Sequence, residues 1–247
     1  MLRYFLLCCF LLLTAYLSGQ EVNDSVEVQS TEYTILYNEA GIGPLIMIPT
    51  GIYKTHDRRA QPGISLSYLR YIGAFSRLNN YLGLELNWID LGTASEDITE
   101  TGPDGIFEYT SIADIEYVSA TFIYRLQPDL EFILWPYVEI GLGPAYFYTV
   151  DRERYSIDGG SETEEDFDLV RGSWTTANRF EFGVQYYFHG INSYLDLAWR
   201  YSFHGKAEYD TIDKDDVQPN TRPVEYLESR VSRASNQVLK LTFNLLF

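Results

Sequence analysis

Seven charged side chains recur on the polar side of segments that otherwise alternate apolar and polar residues. They are four acids, Glu85, Glu139, Glu181 and Asp196, and three bases, Arg179, Arg200 and Lys240. Gathered in one place they would neutralise one another, because an unpaired charge removed from water is far costlier than a paired one. Their expected chemistry is structural, an ion-pair network filling a narrow interior. The functional alternative is a lining for a small ion path. A second constellation is Ser202-Phe203-His204, where a hydroxyl and an imidazole share one face of an extended segment and Glu181 or Asp196 could orient the ring. The flanking residues match no deacylase motif, so no catalytic residue is assigned.

Residues 151–172 hold eight Asp or Glu against three Arg, with Glu162, Glu164, Glu165, Asp166 and Asp168 close together. Asp213, Asp215 and Asp216 form a second acidic run. Such runs are usually solvated surface. Hard cations can bridge carboxylates, but no twelve-residue calcium loop is present, so no metal site is assigned. His56 and His189 have no partner at ligand spacing. Cys8 and Cys9 are the only cysteines, and both lie in an N-terminal apolar stretch. No nucleotide, haem or other cofactor motif occurs. The formal charge of −17 disfavours binding to a phosphate backbone, so no nucleic-acid partner is expected.

The elements that would position these groups are β-strands. Val238–Phe247 alternates throughout, with Leu239, Leu241, Phe243, Leu245 and Phe247 on one face and Lys240, Thr242 and Asn244 on the other. Leu82, Leu84, Leu86 and Trp88 oppose Glu85 and Asn87, and Leu195, Leu197, Trp199, Tyr201 and Phe203 oppose Asp196, Arg200 and His204. The periodicity predicts eight strands, over 44–54, 64–75, 81–91, 107–126, 130–150, 173–188, 194–204 and 238–247. Their connections alternate between long polar loops and short turns. Residues 1–19 carry Arg3, an apolar run from Phe5 to Leu13 and Ser18-Gly19, the pattern of a secretory signal peptide. Residues 20–42 read as a lead-in, within which Tyr33–Tyr37 could add a short strand. Residues 43–247 read as one barrel domain.

Alternation alone also fits a soluble barrel with its apolar side inward. The apolar faces here carry bulky residues in nearly every strand, too many for the narrow lumen of eight strands. Facing lipid, they have no such volume limit. A strand of about ten residues suffices to cross a bilayer when tilted. The 21 Tyr and 4 Trp suit interfacial girdles.

The signal, the eight alternating strands and the aromatic-terminated last strand resemble the small outer-membrane β-barrel proteins of Gram-negative bacteria. The resemblance implies an all-β fold: a closed antiparallel up-and-down transmembrane barrel of about eight strands, with short periplasmic turns and long acidic extracellular loops. It implies residence in the cell outer membrane, with membrane lipid and the barrel-assembly machinery as partners. Phe243, Leu245 and Phe247 match the family's assembly signal. The role expected is structural or surface-interacting rather than enzymatic: membrane integrity, adhesion, or binding an extracellular protein or glycan through the loops. The alternatives are a narrow pore for ions or small solutes and a lipid A-modifying enzyme using Ser202 and His204.

Overall fold

The computed structural model describes residues 38–50, 59–75, 77–102, 105–130, 133–156, 163–188, 191–212 and 220–247. The predicted signal, Tyr33–Tyr37, His56, Glu162, His189 and Asp213–Asp216 lie outside them. Eight strands form one closed antiparallel barrel in sequence order: β1 (Asn38–Thr50), β2 (Gln61–Phe75), β3 (Leu78–Gly102), β4 (Gly105–Pro128), β5 (Leu134–Ser156), β6 (Thr163–Phe188), β7 (Ser193–Ile212) and β8 (Leu227–Leu246). A 3-10 turn at Pro223–Glu225 precedes β8. Closure joins β8 to β1 with Phe243 opposite Ile42 and Lys240 opposite Leu45. The chain end is tied in, since Phe247 N donates to Asn38 O at 3.0 Å and Asn38 N donates to Phe247 O at 3.1 Å. Closure leaves no unpaired edge within the belt, which lipid would not tolerate.

Burial is inverted relative to a soluble protein. Phe122 is 66% exposed and Leu197 62%, whereas Glu85 and Glu181 are 0% exposed. The alternation therefore points its apolar side outward on every strand, as the volume argument required. Leu82 and Leu84 of β3, Ile140 and Leu142 of β5, Phe180 and Phe182 of β6, and Leu239 and Leu241 of β8 are all on the belt. Arg70, which interrupts the apolar face of β2, also points outward, two residues beyond Tyr68 towards the periplasmic end.

The strands run longer than the periodicity predicts, mostly at the outer end. Segments expected to be loops, 95–102 and most of 151–172, are paired strand: Asp97 lies opposite Thr110, and Glu164, Glu165, Asp166 and Asp168 lie opposite Tyr155, Arg154, Glu153 and Asp151. Beyond the belt the inner face still buries Ala94, Ile98, Ile112 and Ala113, but lipid no longer holds the outer face apolar, so the period-two contrast fades while the backbone ladder continues. β8 likewise starts at Leu227, and β1 starts at Asn38, inside the segment expected to be a lead-in. Leu130, expected in the fifth strand, precedes it.

Bulges mark where the sheet leaves the belt. They fall at Tyr71/Gly73, Asp90/Gly92, Thr149/Val150 and Phe203/Lys206. Gly73 (φ 135°) and Gly92 (φ 143°) occupy backbone regions that side chains disfavour, and Gly92 N donates to Asp90 Oδ1 at 2.8 Å.

Candidate functional site

The barrel interior gathers all seven charged residues of the expected network, buried among the strands. Glu85 of β3 receives Arg179 of β6, Arg200 of β7 (2.5 Å) and Lys240 of β8 (2.9 Å). Glu181 accepts from Arg200 Nε at 2.7 Å and lies 2.9 Å from Lys240 Nζ. Glu139 pairs with Arg179 and with Arg125. Each cation reaches carboxylates from more than one strand, so the network ties strands together across the lumen, not only along the ladder.

Sequence reasoning missed part of this assembly. Arg125 is 2% exposed, lies 3.3 Å from Glu39 and 3.7 Å from Asp196, and sits 3.9 Å from the centre of the Tyr137 ring. The Tyr137 hydroxyl is 2.9 Å from Glu181 Oε1 and 2.9 Å from Asp196 Oδ1. Tyr194 donates to Glu39. The Tyr137 ring occupies the space beside Gly183, where an added Cβ would fall 2.1 Å from a ring carbon. Arg125 could have been found, because it alternates with Ile123 and Gln127 on the face opposite Phe122 and Tyr124. Glu39 was hidden in the supposed lead-in. Tyr137 and Tyr194 were indistinguishable from girdle aromatics.

Glu85, Glu139 and Glu181 bring carboxylate oxygens within 4.8 Å of one another, a spacing that would suit a cation. Arg179, Arg200 and Lys240 supply that positive charge. Directly outward of the charges is a cavity of about 20 Å³ lined by Asn87, Ser119, Thr121, Ser202 and Asn236, room for about one water.

The outer half of the lumen departs from the expected polar filling. Leu45, Met47, Ile89, Leu91, Ile115, Tyr117, Phe147, Tyr209 and Val238 form an apolar core there, closed by Ala145, Ala177, Ala207 and Ala234. Leu69, Tyr81 and Ile123 make a smaller apolar patch on the β2–β4 side nearer the periplasm. A charged layer is thus stacked beneath a packed apolar one.

Ser202 and His204 both point into this interior, 8% and 4% exposed. His204 Nε2 is 2.7 Å from Tyr117 Oη, and Nδ1 is 2.8 Å from Ala234 O. Both ring nitrogens are engaged, neither with Ser202, and the face they occupy is the one turned away from lipid. The expectation that this pair could reach a lipid substrate fails on geometry, because period-two alternation puts both residues on the lumen side.

Above the belt the strands form a crown. Asp210 accepts from Thr149 Oγ1 (2.6 Å) and Arg171, and Arg152 pairs with Asp114. The segment before β8 folds across to the other strands. Asn220 uses its side-chain amide on both backbone groups of Thr99, accepting from its N–H at 2.6 Å and donating to its C=O at 3.3 Å. Arg222 pairs with Asp151 and, at 2.5 Å, with Glu153. Burial and the neighbouring Glu100 carboxylate push the Tyr109 hydroxyl up to about 12, so it stays protonated and donates to Glu100 at 2.8 Å.

No family model and no curated protein matches the chain. Solved structures do. Neisserial surface protein A (NspA) is 14% identical, with 85% of this chain and 96% of that chain covered and a TM-score of 0.45. Ail, the attachment invasion locus protein of Yersinia pestis, is 12% identical, with 85% and 100% covered and a TM-score of 0.36. A second Ail structure, in complex with the heparin analogue sucrose octasulfate, is 14% identical, with 84% and 97% covered and a TM-score of 0.36. Likeness at this level says nothing of activity or ligand. Closed eight-stranded topology, an outward apolar belt and a buried charged interior are features of this chain itself, and together they make it a closed eight-stranded antiparallel barrel with the outward apolar face of a membrane-spanning one.

Proposed function

We propose that the chain is a non-conducting membrane anchor that presents an acidic, strand-built projection to extracellular partners. The observation that carries this reading is the division of labour along each strand. Within the belt the interior is filled by paired charges and packed apolar side chains. Beyond the belt β3–β8 continue as ordered sheet, β3 by roughly 30 Å along the strand past Gly92. A pore has no use for a packed lumen. A projection of that length, tied down by Asn220 and Arg222, suits recognition by a rigid surface.

Phe243, Leu245 and Phe247 lie on the outward face of the closing strand. There they are open to inspection by assembly machinery before the β1–β8 seam closes.

Charge favours a cationic partner. A sulfated glycan of the kind seen with Ail would be repelled by a chain of net charge −17. The test uses purified protein in zwitterionic bilayers, and a variant in which residues 94–113 are replaced by a short turn. The intact protein should bind polylysine in a salt-dependent way and not heparin, and the shortened one should lose that binding. Equal polylysine binding by both, or preferential heparin binding, would contradict the reading.

A further inference from the structure

The outward stripe shared by β7 and β8 changes chemistry in a fixed order. From the periplasmic end its paired residues are Leu195 with Phe243, Leu197 with Leu241, Trp199 with Leu239, Tyr201 with Gln237, Phe203 with Ser235, and then Lys206 with Arg233. Apolar pairs give way to aromatic–polar pairs and then to two cations, with Glu208 and Val231 the next pair beyond. A bilayer passes in the same order from acyl chains through the interface to head groups. The β7 bulge between Phe203 and Lys206 produces the cationic step. It shifts the phase so that Lys206 faces out and Ala207 faces in.

Lys206 and Arg233 are exposed and directly opposite each other. Like charges opposed across strands destabilise a sheet. In a chain with 35 Asp and Glu against 18 Lys and Arg, a carboxylate partner would be easy to supply. Among the described residues, neither cation has one. Glu208, the acid two residues beyond Lys206 on the same face, is occupied: it accepts from Ser229 Oγ at 2.8 Å and lies 3.6 Å from Arg171 Nε. No described carboxylate meets the two cations, so they are open to an anion from outside, and they stand where the belt meets head groups.

We propose that Lys206 and Arg233 bind the phosphate of an outer-leaflet lipid. A guanidinium and an ammonium side by side can share the oxygens of one phosphate. Acyl chains would then run down the stripe over Phe203, Tyr201 and Trp199.

The experiment uses the whole barrel, its folding checked by the compact gel band that disappears on boiling. Native mass spectrometry counts bound lipid for wild type, Lys206→Gln, Arg233→Gln and the double variant. Bilayers contain bisphosphorylated lipid A, lipid A stripped of its phosphates, or a betaine lipid, zwitterionic and without phosphate, with or without inorganic phosphate. Wild type should retain phosphorylated lipid A, and the double variant should bind it roughly thirtyfold more weakly. In the betaine lipid without added phosphate the sign should reverse, with the double variant at least as resistant to urea as wild type, because a repulsion has been removed. Equal retention by wild type and double variant overturns the proposal. So does equal retention of the stripped lipid, or binding satisfied by inorganic phosphate alone.

Discussion

Replacing Glu85 by alanine should lower barrel stability by about 3–5 kcal/mol, the cost of leaving buried charge unpaired. Glu85 is 0% exposed and accepts from Arg179, Arg200 and Lys240. Without it these cations keep only Glu139 and Glu181 as near partners. The cavity on their outer side, about 20 Å³, has room for about one water, too little to replace three ion pairs. The measurement is urea unfolding of the protein in lipid, followed by tryptophan fluorescence. Adding Lys240→Met to Glu85→Ala should recover part of the loss, because one orphaned cation is removed with the acid. If Glu85→Ala unfolds within about 0.5 kcal/mol of wild type, the buried pairing described here is wrong.

Leu197→Arg should cost about 2–4 kcal/mol in a bilayer. Leu197 is 62% exposed and lies in the apolar part of the outward stripe, opposite Leu241 and Val184. In water an exposed leucine is a neutral place for a charge, and a soluble barrel would accept the change. In hydrocarbon the guanidinium must snorkel or thin the membrane. Gln237→Arg is the internal control. It lies on the same stripe two pairs nearer the outer surface, on the way to the interface where the cost of arginine falls to about 0–1 kcal/mol, so its effect should be the smaller. The same unfolding assay reads both. Equal effects at the two positions would remove the depth dependence that identifies a lipid-facing surface.

The parts of the fold legible in the sequence are those where lipid enforces contrast. Leu82 through Trp88 and Leu195 through Phe203 alternate because one face meets hydrocarbon and the other a crowded interior. Those segments gave the strand number, the closure and the burial of Glu85, Glu181, Arg200 and Lys240. Where lipid stops, the contrast stops too. In β3 the phase shifts at the Asp90/Gly92 bulge, and Ile89 and Leu91, on the inner face, look like the end of a strand when they are part of the outer lumen core. The acids at 164–168 read as loop because they are acidic, although their backbone is paired. The apolar upper lumen was not legible because its members sit singly on many strands, and only closure of the barrel brings Leu45, Phe147 and Val238 into contact. Amphipathic residues were ambiguous in the same way: Tyr137 could serve a girdle or the lumen, and only the space at Gly183 decides.

The central claim is that the lumen is sealed, with charges paired below and apolar side chains packed above. Single-channel recording on the purified protein in a planar bilayer addresses it directly. The account predicts no reproducible conductance steps for wild type at moderate voltage and high salt. Steady, uniform steps from the wild-type protein would contradict it, because ions cannot pass a lumen filled as described.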